Sequence, residues 1–174
     1  DVVLSAIQGR EERDEALVFP YFLPGKEHAE LLRIKRMAGG RRYSGRADTQ
    51  TGIYFAPEMR VEQGAPLRDR GRILLWVEGE KKALALARLG HAVVGLPGVT
   101  TAHDVPHRRT TKEYRLHEWV RSHVAVDDRE HIVVFDPDIR TNTQVQKAHK
   151  CLVAMLWAAG ASTVRAVQWP RDVD

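Results

Sequence analysis

Cysteine is almost missing from this chain. Cys151 is the single thiol among 174 residues. That excludes an internal disulfide and any cysteine-based zinc ribbon here, and it fits a reducing, cytoplasmic setting. Long apolar runs are missing too. None approaches the ~18 residues of a membrane-spanning helix, so no membrane partner is expected. The opening DVVLSAIQGREERDEA turns charged early, so no secretory leader is expected. No Walker A pattern is present, which argues against ATPase chemistry in this chain. There is no initiator Met and the end at Asp174 is abrupt, as expected of a piece of a longer protein.

One further absence is local. From Leu31 to Arg46 the chain reads LLRIKRMAGGRRYSGR, with no acidic residue. Arg33, Lys35, Arg36, Arg41, Arg42 and Arg46 are concentrated there, although the net charge of the whole chain is only +4. Two readings stand side by side: a solvated basic face, or a surface that neutralises nucleic-acid phosphates.

What is present is a core. Hydrophobic residues make up 43% of the chain, enough to drive folding against chain entropy. The texture changes near residue 70. Before it, short strand candidates alternate with Gly, Pro and charged turns: Ala16–Leu23, with Pro20 marking an edge or bulge, then Leu31–Arg36, then Thr51–Pro57. Residues 1–70 read as a small, basic, β-rich subdomain, with Glu62–Arg72 as linker. After it, strands alternate with helices. Ile73–Val77, Ala92–Leu96, His131–Phe135 and Thr163–Trp169 are expected strands. Glu80–Leu89, Lys112–His123 and Thr143–Ala159 are expected helices, with Gly90 and Gly160 closing the first and last. The fold class expected for 71–174 is α/β, a mainly parallel sheet with helices on both faces, since the strands are near-continuous apolar runs.

Carboxylates follow these strands. Glu78 follows ILLWV, Asp136 and Asp138 follow HIVVF, and Asp172 and Asp174 follow TVRAVQWP. In a parallel sheet the carboxyl ends of all strands share one edge, where ligands bind. Acids crowded together repel unless a cation joins them or their pKa values rise. Aspartate and glutamate oxygens suit Mg²⁺ or Mn²⁺, and so phosphoryl or nucleotidyl transfer. Taken singly, each acid reads more readily as a helix cap or loop residue; three such positions on one sheet edge turn the reading toward a metal site.

The segments VEGEKKALALARLG, AVVGLPG, IVVFDPD and WPRDVD together resemble the Toprim domain of DnaG-type bacterial primases, topoisomerases and some nucleases. The likeness covers Ile73–Asp174 and is greatest to a Toprim-like family of phage, plasmid and mobile-element replication proteins. It implies a Toprim-type sheet, with Glu78 as the metal-linked or general-base carboxylate, Asp136 and Asp138 holding Mg²⁺ or Mn²⁺, and Asp172 and Asp174 completing the cluster. The N-terminal ALVFPYF, LLRIKR, RRYSG and GIYFAP resemble the small subdomain before Toprim in primases. That implies a template-holding surface on Arg33, Lys35, Arg36, Arg41, Arg42 and Tyr43, with Tyr43 stacking on a base or packing in a strand.

The implied function is primer synthesis on a single-stranded DNA template from nucleoside triphosphates, within a longer chain carrying a helicase or other domains. A Toprim nuclease and a catalytically silent ssDNA-binding module are the alternatives. The sequence departs from the primase pattern in three ways. Lys82 stands where that pattern has an acid, which makes it a surface helix residue or a phosphate contact. IRTNTQ replaces a small Ala-Gly step after Asp138. A zinc module and a C-terminal helical bundle are missing.

The histidine pair in HDVPH, His103 and His107, has the spacing of a zinc-protease helix. Pro106 between them and the lack of an adjacent Glu exclude that reading. Cys151 is read as a core residue of the long helix, and His149 on the same helix as partly buried or capping.

Overall fold

The computed structural model describes residues 16–36, 43–44, 52–103 and 115–170. Two sheets are built. The first is antiparallel and three-stranded, in the order β1 (Ala16–Tyr21), β2 (Leu31–Arg36), β3 (Tyr43–Ser44). Pro20 lies opposite Leu32 on the outer strand, where a missing N–H costs no ladder bond.

The second sheet is parallel and four-stranded: β4 (Leu74–Glu78), β5 (Ala92–Leu96), β6 (Glu130–Val134) and β7 (Thr163–Ala166). Its spatial order is β5-β4-β6-β7, and all three pairings are parallel. Parallel neighbours require crossovers. Helix α2 (Glu80–Arg88) connects β4 to β5, and α4 (Thr143–Ala158) connects β6 to β7. Two short helices, α1 (Ala65–Arg68) and α3 (Glu118–His123), complete the set. The chain is therefore α/β, a parallel sheet flanked by helices with a small antiparallel sheet before it. Among the described residues no helix is long and apolar enough to cross a membrane.

The helix ends follow from their residues. Asn142 caps α4, its Oδ1 accepting from the backbone N–H of Gln144 at 3.0 Å and of Val145 at 3.4 Å. Val145, Ala148, Leu152 and Met155 are buried at helical spacing. Gly90 and Gly160 follow α2 and α4 in the left-handed region, at φ +86° and +89°.

Three expectations are revised. Thr51–Pro57 does not extend the small sheet. Tyr54 instead exchanges two 2.9 Å backbone bonds with Gly95 of β5, in an isolated antiparallel bridge on the main sheet. Gly95 makes this contact close: a Cβ there would meet that of Ala83 on α2 at 2.9 Å. Second, Glu62–Arg72 is not a loose linker. It contains α1, whose Leu67 is fully buried. Third, within Lys112–His123 the helix covers only Glu118–His123; residues 112–114 lie outside the described chain. The backbone N–H of His117 donates to Ala102 O at 2.8 Å, and the His117 side chain accepts from Trp119 N–H, so the chain turns into α3 only there.

One core runs through these parts. Phe19 and Tyr21 of the small sheet, Ile53, Tyr54 and Phe55, and Trp76, Val93 and Leu96 of the main sheet are all buried within it. Tyr21 and Tyr54 pack edge to face, ring centroids 5.3 Å apart.

Candidate active site

Strand order places the site. From β4 the chain crosses to β5 on one side, and β6 lies on the other. The crevice outside the carboxyl ends of β4 and β6 is thus the switch point where open α/β sheets bind ligands. Glu78 is the last residue of β4. Asp136 follows β6 by two residues and opens the 3₁₀ turn Pro137–Arg140, which holds Asp138. Glu78, Asp136 and Asp138 therefore share this edge.

The Glu78 carboxyl is half-buried, and its Oε2 is enclosed without a hydrogen-bond partner. Burial pushes its pKa above the usual carboxylate range, and the charges of Asp136 and Asp138 push the same way. Lys82 and the Asp136 backbone oppose the rise. Asp136 makes no capping bond with its side chain. It accepts instead from Lys82 Nζ, reaching across from α2. Asp138 is exposed and faces Asn142, whose Nδ2 lies 3.5 Å from its Oδ2.

Gly79 joins β4 to α2 at φ +88°, ψ 154°, a conformation essentially reserved for glycine. A Cβ there would touch nothing within 4 Å. The requirement is torsional, and the space beside the turn is open. Its N–H donates to Leu96 O at 2.7 Å, tying the turn to the end of β5.

Glu80, the first residue of α2, was not singled out by sequence. It is 2% exposed. Its Oε1 accepts from Tyr21 O–H and from Arg33 Nη1, both at 2.6 Å. Arg33 also donates to Pro97 O at 2.8 Å, just beyond β5. The small sheet is thus fastened to the carboxylate edge. Burial and the neighbouring Glu80 both raise the Tyr21 pKa. Burial works against the Arg33 charge, but Glu80 outweighs it and the guanidinium is held more firmly protonated. Arg33, expected on nucleic acid, is committed to this internal cluster.

The other expected contacts distribute as follows. Lys35 is half-buried on β2, and its backbone pairs with Tyr43 of β3. Arg36 ends β2 opposite Ala16. Arg41, Arg42, Asp172 and Asp174 lie outside the described residues. The chain before Asp172 does reach the same edge: Trp169 Nε1 donates to Phe135 O at 2.6 Å, and Arg140 Nη1 to Pro170 O at 2.7 Å. His103 forms a bridge with Leu116, and His107 lies outside the described residues.

Two buried polar residues at the start of β6 also escaped sequence reasoning. Arg129 is fully buried, and its guanidinium donates to the carbonyls of Leu67 (2.6 Å), Arg72 (2.7 Å), Pro66 (3.0 Å) and Ala125 (3.3 Å). Burial lowers its pKa to about 10. His131 accepts from Trp76 Nε1 at 3.0 Å, with its other nitrogen 2.9 Å from Val126 O. Nothing in RILLWV or HIVVF announces either partnership.

Among the described residues no group of three or more His, Cys, Asp or Glu is gathered closely enough to hold a metal ion. The donor chemistry nevertheless suits a hard cation. Mg²⁺ is commonly held by one or two carboxylates, its remaining positions going to water and substrate phosphate. Glu78 Oε2 is an enclosed acceptor with no partner.

Residues 67–174 match the family described as "Domain of unknown function (DUF3854)", a span of more than half the chain. The chain belongs to the DUF3854 family. The DUF3854 region begins at Leu67 inside α1 and includes the whole parallel sheet with Glu78, Lys82, Asp136 and Asp138. Its start coincides with a structural joint, since Leu67 O is a partner of Arg129. Tyr21 and Arg33 precede it, so the Glu80 cluster joins the DUF3854 region to the sheet before it. No curated protein and no solved structure matches the chain.

Proposed function

We propose that the chain carries out metal-dependent nucleotidyl transfer on nucleic acid, as a primase-like unit of a replication protein that synthesises primers on a single-stranded DNA template. The observation that carries this reading is the placement of Glu78 and Asp136 across the β4/β6 switch point, with an unpartnered Glu78 oxygen in the crevice. Glu78, Asp136 and Asp138 would hold Mg²⁺ or Mn²⁺, with Asp172 and Asp174 completing the acidic cluster. The ion supplies charge neutralisation on the transferring phosphate.

The chain's own groups have distinct parts. Where it is not a ligand, Glu78 takes the proton from the attacking 3′-hydroxyl. Lys82 contacts phosphate of the incoming nucleoside triphosphate. Lys35, Arg36, Arg41 and Arg42 neutralise template phosphates, and Tyr43 stacks on a base. Incubation with ssDNA, nucleotides and Mn²⁺ tests the reading. Product beyond that of Asp136→Ala supports it. No product beyond that control excludes synthesis by this chain. Metal-dependent nicking of plasmid, lost in Glu78→Ala, would assign the same carboxylates to a nuclease.

The Lys82–Asp136 ion pair favours a second reading. With an ammonium already on Asp136, the domain serves as an ssDNA-binding module of a larger helicase or replication protein. Salt-sensitive binding that survives Glu78→Ala and Asp136→Ala, with no product and no nicking, would select it.

A further inference from the structure

We propose that Arg33 and Tyr21 are positioning residues of the carboxylate edge: acting through Glu80, they hold the β4–α2 turn, and with it Glu78, in register with the end of β5. This rests on the nucleotidyl-transfer reading above. It gives the small antiparallel sheet a part in the chemical step as well as in holding template.

Glu80 opens α2 two residues after Glu78, with only Gly79 between them. Its Oε1 accepts from both Tyr21 O–H and Arg33 Nη1, each at 2.6 Å. The donors are themselves anchored. The Tyr21 ring packs edge to face on Tyr54, and the Tyr54 backbone is bonded to Gly95 of β5. Arg33 Nη1 also donates to Pro97 O at 2.8 Å, one residue past β5. Gly79 N–H donates to Leu96 O at 2.7 Å. The turn is thus tied to the end of β5 twice, once through its own backbone and once through Arg33.

Stability alone does not call for this chemistry. Replacing a buried ion pair by well-packed apolar side chains is often neutral or stabilising, and α2 already buries Ala83 and Ala87. Charge-assisted hydrogen bonds add what apolar packing lacks, a fixed direction and a short, fixed distance. Gly79 has no side chain, and the space beside it is open. The side-chain restraint on the turn therefore comes from Glu80. A shift of Glu80 passes through one glycine to Glu78 and along the first turn of α2 to Lys82.

Primer synthesis by full chains of wild type, Tyr21→Phe, Arg33→Lys and Arg33→Met tests this, at a temperature where circular dichroism shows each variant folded. The expected signature is a lower kcat at an unchanged KM for ssDNA. Arg33→Met is expected to lose about 10²-fold in kcat, the scale of a ~1 Å misplacement. Tyr21→Phe keeps the ring and should lose less. Arg33→Lys keeps a cation beside Glu80 and should recover part of the Arg33→Met loss. Wild-type kcat in folded Arg33→Met, or in Tyr21→Phe where Arg33→Met does not fold, overturns the proposal and leaves the transfer reading standing. So does a raised KM for ssDNA at unchanged kcat, which would put Arg33 on the template. No product from wild type overturns both.

Discussion

Arg33 Nη1 lies 2.6 Å from Glu80 Oε1, and the two residues are 19% and 2% exposed. This contact links the basic antiparallel sheet to the first residue of α2, two positions after Glu78. Removing one partner of a buried pair strands the other charge. Arg33→Met and Glu80→Gln are each expected to cost about 3 kcal/mol of stability. The double variant should cost less than the sum of the two singles. Urea unfolding of the four proteins measures the cycle; strict additivity would show that the pair is not coupled.

The same pairing predicts how ssDNA binding responds to salt. On single strands a lysine or arginine on phosphate contributes about 0.7 to the slope of log K against log salt. Arg33, already neutralised by Glu80, should contribute none. Arg41→Ala/Arg42→Ala should flatten the slope by about 1.4, whereas Arg33→Met leaves it unchanged. Fluorescence anisotropy with a labelled oligonucleotide across a salt series separates the two cases.

His131 predicts a pH dependence of stability. Its Nδ1 accepts from Trp76, so its proton resides on Nε2 and goes to Val126 O. Burial lowers its pKa below the ordinary 6.5. His123 and His149 are lowered by the same cause. As pH falls below about 6.5, the unfolded chain binds protons that the native state refuses. The contribution of these groups is therefore complete above that pH and is lost on acidification towards their depressed native values. The loss is at most about 1.4 kcal/mol per pH unit and group. Urea midpoints should fall between pH 7.5 and 5.5. A flat profile would contradict the neutral, buried His131.

Arg129 is held by four backbone carbonyls rather than by an acid. Arg129→Met removes every guanidinium donor; Leu67 O keeps the Ala125 N–H, and each of the other carbonyls that loses its partner costs about 1–3 kcal/mol. Destabilisation of at least ~3 kcal/mol is expected. Arg129→Lys recovers only part of it, because an ammonium cannot reproduce the planar fork. A loss below 1 kcal/mol in chemical denaturation would mean that water replaces the guanidinium.

Gly79→Ala isolates a torsional cost. There is room for the methyl group, so the penalty comes only from φ +88°, ψ 154°. A loss of about 1–3 kcal/mol is expected, with α2 and Lys82 displaced. Thermal unfolding measures the loss.

Much of the frame was legible because it depends on local pattern. The apolar run of Leu74–Val77 and the helical spacing of Val145, Ala148, Leu152 and Met155 mark β4 and α4 without knowledge of their neighbours. Gly90 and Gly160 end the helices through their own torsional freedom. Pairing partners were harder to read. Thr51–Pro57 has the composition of a strand, yet composition does not say which sheet it joins. Glu62–Arg72 looks like a linker because Gly, Pro and charge dominate it, although buried Pro66 and Leu67 and the carbonyls held by Arg129 dock it. At the site, Glu78 and Asp136 were legible from their places after strands, and Glu80 was hidden because a helix-opening acid normally faces water.

The sequence by itself determined the alternation of strands and helices. Through the geometry of parallel crossovers it also put the acids after β4 and β6 on one edge. Both follow from short-range constraints: side-chain periodicity, turn torsions, and the rule that parallel strands end on the same side. Only the tertiary structure decided which charges meet. Arg33 reaches Glu80 over 47 positions, Lys82 reaches Asp136 over 54, and Arg129 reaches Leu67 over 62. Such partnerships depend on which surfaces pack against each other and which polar atoms packing deprives of water. That is why Arg33 reads as a phosphate contact in the sequence and is an internal fastening in the fold.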